Sequence, residues 1–164
     1  MQIKVSKAIK LVSKSPKETK KIAGQLAGRL QPGDIICLFG DLGSGKTVFT
    51  QGLARGLGVG KAAVISPSFV LIREYPGAEF PLFHFDLYRL NSKSDIFALG
   101  YEEYLYAGGV SVIEWADRLN GFLPKEYLRV DLIIKARQER LLKISAHGAR
   151  YKELLGRIDE DISR

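Results

Sequence analysis

Cysteine, histidine and long apolar runs are all scarce in this chain of 164 residues, and each scarcity removes a class of function. There is one cysteine, Cys37. No internal disulfide can form, which fits the reducing cytoplasm. Cys37 sits inside an apolar run and reads as a small buried hydrophobe. The two histidines, His84 and His147, lie far apart, with no cysteine or histidine at ligand spacing. A zinc-type site is therefore not expected, and both read as structural. No apolar run approaches the roughly 20 residues that a membrane helix needs. The opening residues, MQIKVSKAIK, alternate lysine with apolar side chains and do not form the apolar stretch of a signal peptide. The expected setting is cytoplasmic, with no membrane.

Acidic residues are nearly missing from one region. Residues 1–30 hold eight basic side chains and one acidic one, whereas the remainder holds seventeen of each sign. The whole net charge of +7 therefore sits at the N-terminal end. It reads either as a solvated helix face or as a surface for an acidic partner or RNA. Without interleaved aromatics, the solvated face is the simpler reading.

What is present is an ordered run of short elements, expected to form one domain over 1–164. Ile3 to Leu11 reads as an edge strand. Ser15-Pro16-Lys17-Glu18 is a helix start: Ser15 caps, Pro16 needs no amide hydrogen there, and Glu18 closes a capping box. Ile22, Leu26 and Leu30 recur every four residues and give the helix one apolar stripe. Ile35 to Phe39 is continuously apolar, as in a strand covered on both faces. A helix from about Lys46 to Leu57 follows, ending at Gly58. Further strands are expected at Phe69 to Tyr75, Leu82 to Phe85, Val110 to Ile113, Leu128 to Ile134 and Leu141 to Ser145. Asp95 to Leu105 reads as one helix, and the charged tail from Arg150 as helical or frayed. This rhythm predicts an α/β fold of the P-loop NTPase type. Its central sheet is mostly parallel, with flanking helices and antiparallel edge strands.

Between the apolar strand and the following helix, Gly40-Asp41-Leu42-Gly43-Ser44-Gly45-Lys46-Thr47 matches G-x-x-x-x-G-K-[ST] in full. Glycines allow the backbone angles that turn amides inward toward phosphate oxygens, and a helix N-terminus adds its own amides. Lys46 is expected at the β- and γ-phosphates, and Thr47 at Mg2+. The motif does not choose between ATP and GTP. The guanine-reading pattern Asn-Lys-x-Asp is missing, since Asn91-Ser92-Lys93-Ser94-Asp95 has the wrong spacing. ATP is the expected nucleotide.

Phosphate chemistry also needs carboxylates at neighbouring strand ends. Glu114 ends Val110–Ile113, in the position of a Walker B acid, and would hold Mg2+ or polarise water. Asp86 ends Leu82–Phe85 and is the second candidate. Either acid alone could instead cap a helix or lie on the surface. In Ser66-Pro67-Ser68 the hydroxyls could reach the γ-phosphate, or the run could be a plain proline turn. Trp115 would stack near the nucleotide or serve as a core or interface residue.

The stretches LFGDLGSGKTVFTQGLARGLG, SPSFVLIREY, HFDLYRL, LGYEEYL and VIEWADRL together resemble the TsaE family over about Lys17 to Gly148. The resemblance implies an ATPase of bacterial tRNA threonylcarbamoyladenosine synthesis that acts with TsaB and TsaD. TsaD is the component that modifies the adenosine beside the anticodon, so contact with tRNA would be indirect or transient. The resemblance implies Thr47 and Glu114 as Mg2+ contacts, Asp86 as a further functional acid, Thr19 near the nucleotide, and Arg140 between the late strands. Ser68 departs from the family's usual threonine but keeps the hydroxyl. Tyr88 and Arg89 match the pattern without an assigned role.

The expected catalytic residues are thus Lys46, Asp86 and Glu114. The expected ATP contacts are Thr19, Gly40, Asp41, Leu42, Gly43, Ser44, Gly45, Lys46, Thr47, Val48, Ser68, Trp115 and Arg140. Two other classes remain open. A small-molecule kinase usually carries an arginine-rich lid, yet between Leu90 and Gly109 only Lys93 is basic. A nucleotide-dependent binding module would use ATP to shape an interface rather than to turn it over.

Overall fold

The computed structural model of the chain describes residues 8–60, 64, 71–162 and 164. Among the described residues, seven strands form one sheet: β1 (Ile9–Ser13), β2 (Ile35–Phe39), β3 (Ile72–Tyr75), β4 (Leu82–Asp86), β5 (Val110–Glu114), β6 (Tyr127–Ile134) and β7 (Arg140–His147). Five helices accompany them: α1 (Pro16–Ala27), α2 (Lys46–Gly56), α3 (Lys93–Leu99), α4 (Tyr101–Leu105) and α5 (Ala149–Ile162). A short 3-10 helix, Ala116–Phe122, follows β5.

The strand order is β1-β7-β6-β2-β5-β4-β3. The four central strands, β6, β2, β5 and β4, are parallel. β7 and β1 extend one side antiparallel, and β3 closes the other. This is a P-loop NTPase-like arrangement. Every residue of β2, β4 and β5 is buried, as the continuous apolar runs require of strands covered on both faces. Alternate residues feed two cores. Ile36 and Leu38 pack with Leu26 of α1, Phe49 and Leu53 of α2, and Leu154 of α5. Cys37 and Phe39 pack on the other face with Ile96, Leu105 and Leu119. Cys37 is fully buried, and burial pushes its thiol pKa up.

The capping box at α1 forms as the sequence implies. The Glu18 amide donates to Ser15 Oγ, and Glu18 Oε2 accepts from the Lys14 amide. α1 crosses α2 closely, because a Cβ on Gly52 would lie 2.5 Å from the Lys20 carbonyl oxygen.

Three expectations change. The first strand, described over Ile9–Ser13, runs past the expected end at Leu11 to Ser13, which pairs with Arg140. The part of that expectation on residues 3–7 lies outside the described residues, as does residues 69–70 of the expected strand at Phe69 to Tyr75. The helix expected over Asp95 to Leu105 is two helices. Gly100 takes the left-handed conformation, φ 60°, which ends α3 and begins α4. The two late strands run longer than expected, forming an eight-residue antiparallel ladder.

Candidate active site

Parallel pairing sets the site. Because β2, β5 and β4 run the same way, their C-terminal ends meet at one edge of the sheet. β7 runs the opposite way, so its first residue, Arg140, arrives at that same edge, paired with Ser13 at the end of β1.

The loop after β2 turns sharply. Gly43 and Gly45 have φ of 80° and 102°, values that disfavour any side chain. At Gly40 a Cβ would sit 2.4 Å from Ser44 Oγ and 2.7 Å from the Leu132 carbonyl oxygen, so only glycine fits. Gly45 precedes α2 without a side-chain cap. The amides of the first helical turn therefore keep their donor capacity for a ligand. Arg140 braces the loop from behind, donating from Nε to the Ser44 carbonyl at 3.1 Å and from Nη2 to the Gly43 carbonyl at 3.1 Å.

Lys46 is almost buried. Its Nζ donates to the carbonyls of Gly40 and Asp41, at 2.5 and 2.9 Å, and lies 3.9 Å from the centre of the Trp115 ring. Burial lowers its pKa, opposed by the charges of Glu114, Asp117, Asp41 and Asp86. Trp115 reaches this place through strained backbone, with φ 57° in a non-glycine residue. The Trp115 ring also meets Tyr88, with ring centres 4.9 Å apart.

Thr47 Oγ1 donates to Glu114 Oε1 at 2.8 Å. The second carboxylate oxygen, Oε2, is held by a very short contact with His84 Nε2. His84 is wholly buried, and its Nδ1 has no partner among the described residues. With the carboxylate as acceptor, Nε2 is the donor of this contact. Asp86 is register partner to Glu114 across the β4–β5 pair, and its Oδ1 accepts from the Tyr88 amide at 3.1 Å.

These groups surround a cleft of about 500 Å³ lined by Gly43, Gly45, Lys46, Thr47, Val48, Asp86, Arg89, Glu114 and Trp115, among others. A second cleft of about 310 Å³ opens on the other side of the loop, lined by Thr19, Gly43, Ser44, Val48, Arg137 and Arg140, among others. There the Thr19 hydroxyl bonds Ser13 Oγ at 2.7 Å. Of the expected residues, Lys46, Thr47, Asp86, Glu114 and Trp115 come together around the first cleft, and Thr19 and Arg140 around the second. Arg140 points its guanidinium at loop carbonyls. Ser68 lies outside the described residues.

The sequence reading placed no role on His84 beyond structure, and none on Arg89. The signal for His84 was present. Alternation along β4 puts residues 82, 84 and 86 on one face, so His84 shares the face of Asp86, and the pairing of β4 with β5 then brings it to Glu114.

The family model described as "Threonylcarbamoyl adenosine biosynthesis protein TsaE" matches residues 13–142. The chain is 40% identical over 158 residues to the Bacillus subtilis (strain 168) protein named "tRNA threonylcarbamoyladenosine biosynthesis protein TsaE", covering 96% of each chain. It is 38% identical over 138 residues to the Treponema pallidum protein of the same name, covering 84% of this chain and 100% of that one. The crystal structure of Bacillus subtilis YdiB superposes with a TM-score of 0.82 at 37% identity, covering 94% of this chain and 96% of that one.

Proposed function

The chain belongs to the TsaE family, and from that premise we propose that it binds and hydrolyses ATP in the cytoplasmic synthesis of threonylcarbamoyladenosine in tRNA, acting with TsaB and TsaD. The observation that carries the ATPase reading is the 2.8 Å contact between Thr47 and Glu114 at the mouth of the phosphate loop, with Asp86 beside it.

The loop amides and the uncapped start of α2 take the polyphosphate. Gly43, Gly45 and Val48 line both clefts, and on this reading a nucleotide lying along the loop would have its γ-phosphate in the first and its nucleoside beside Thr19 in the second. Lys46 exchanges its loop carbonyls for phosphate oxygens and brings a positive charge to the β- and γ-phosphates. The residues present fit a magnesium ion: a hydroxyl and a carboxylate, both oxygen donors, converge where the γ-phosphate would lie. Thr47 and Glu114 would hold it. Bound there with the nucleotide, Mg2+ supplies charge neutralisation on the transferring phosphoryl group. Asp86 and Glu114 orient the attacking water, and a carboxylate oxygen accepts its proton as the bond to the γ-phosphorus forms and ADP leaves. His84 keeps the Glu114 carboxylate in one orientation.

The test is ATP turnover with and without TsaB–TsaD. The wild-type chain is expected to be slow alone and faster with its partners. Lys46→Ala is expected to lose nucleotide affinity, and Glu114→Ala to lose turnover by about 10²- to 10⁴-fold while still binding nucleotide. Full turnover in the Glu114→Ala chain would overturn the reading.

A further inference from the structure

Three of the N-terminal lysines and one arginine of α2 gather along one face of the fold. Lys17, Lys20 and Lys21 project from α1, and Arg55 from the last turn of α2. All four are exposed, and all line one open groove of about 700 Å³ between the two helices. Its floor is glycine: Gly24, Gly52 and Gly56 add no side chains, so the rim of ammonium and guanidinium groups stands above a shallow channel. Among the described residues none of the four bases pairs with a carboxylate. The single acid on the rim, Glu18, is engaged in capping α1 through the Lys14 amide. Four cations against one carboxylate along a channel repel one another, a cost that an anionic partner relieves.

The lining decides which anion. A protein partner normally meets an apolar core with aromatics, and lysine is depleted there. This groove has no apolar side chain at all; its remaining liners are Ser15 and the glycines. It has no aromatic on which an unstacked base could lie, which argues against single-stranded RNA. What remains is a surface suited to a row of phosphodiesters on a helical backbone, read by charge and spacing rather than sequence.

We propose that the α1–α2 groove binds the phosphate backbone of double-helical RNA through Lys17, Lys20, Lys21 and Arg55. This site shares only Ser15 with the second cleft and no lining residue with the first. α1 turns Thr19 inward toward the second cleft and its lysines outward, so RNA binding and ATP turnover are measured independently.

The experiment is fluorescence anisotropy of the full chain with an unmodified tRNA transcript and with a short RNA duplex of unrelated sequence. Raising KCl from about 50 to about 200 mM is expected to weaken binding of either RNA by roughly 40- to 150-fold, as three or four phosphate contacts would. The Lys17→Glu/Lys20→Glu/Lys21→Glu chain is expected to lose most of the affinity and most of the salt dependence. The corresponding glutamine variant guards against any folding defect of the charge reversal. Lys93→Glu, on the opposite face of the sheet, and Lys46→Ala are expected to bind RNA as the wild type does. Unchanged RNA binding in both triple variants, no RNA binding by the wild type, or equal displacement by an acidic polypeptide would each overturn the proposal. None of those results bears on the ATPase reading.

Discussion

Glu114 is gripped at both oxygens, by Thr47 and by His84, and that double contact sets what single substitutions should do. A carboxylate held at one oxygen pivots about it; held at both, it presents one orientation to whatever lies in the cleft. Removing a partner that orients an active-site ligand commonly costs 10- to 100-fold in affinity or activity. His84→Ala is therefore expected to lower kcat by about 10- to 100-fold with little change in KM for ATP, and His84→Gln, whose side-chain amide can still donate, to recover part of the loss. A spectroscopic check needs no turnover. Imidazole nitrogen shifts of the nucleotide-free chain should report a proton on Nε2. A proton on Nδ1 instead would remove the argument for a held carboxylate. The strained backbone of Trp115 belongs to this scale too, since it carries the ring to within 3.9 Å of Lys46 Nζ.

Two glycines in helices separate packing from propensity at the scale of the element. On Gly52 of α2, a Cβ would press on the Lys20 carbonyl oxygen at 2.5 Å and on the Ala23 Cβ at 2.8 Å. The helices would have to part, so Gly52→Ala is expected to destabilise the chain by about 1–3 kcal/mol. On Gly156 of α5, a Cβ meets nothing within 4 Å. There the usual helix preference decides, and Gly156→Ala is expected to stabilise by about 0.5–1 kcal/mol. Chemical denaturation of both variants checks the opposite signs. The same contrast marks what an unaided sequence conveys. The α1 cap is legible because Ser15 and Glu18 are three residues apart, but Gly52 looks like any helical glycine until α1 is laid against it. Gly100 was readable in principle, as a glycine between two short apolar patterns, yet the combined pattern over Asp95 to Leu105 also fits one helix.

Across the whole molecule, α5 fastens the C-terminal end of the chain to the start of the strand that carries the phosphate loop. Tyr151 Oη accepts from the Ile35 amide at 2.8 Å, and Arg150 pairs with Asp34 at 2.8 Å. Tyr151→Phe leaves a buried amide without its acceptor, with an expected loss of about 1–3 kcal/mol. The native phenol is pushed up to about 12, first by burial and then by the charge of Asp34, while the Ile35 amide opposes the shift. Its unfolded value is near 10.0. A raised folded value favours the neutral form, so this contribution is complete below pH 10 and fades as pH rises toward 12. Urea midpoints measured across that window should fall for the wild type and less so for Tyr151→Phe. An equal fall in both would show that other groups govern alkaline unfolding.

Local chemistry was written in the sequence. The phosphate loop, the capping box of α1 and the covered strands β2 and β5 depend on residues within a few positions of one another, where spacing alone fixes the geometry. Glu114 and Asp86 were nameable as strand-end acids for the same reason. What met what was decided by the fold. Thr47 and Glu114 are 67 residues apart, and they touch because β2 and β5 are neighbours in the sheet, an order that no local pattern encodes. His84 against Glu114, Arg140 against the loop carbonyls, and the four bases around one groove follow from the same cause. Contacts between strands and helices are set by how the whole apolar surface is buried, a property of the assembled chain rather than of any segment.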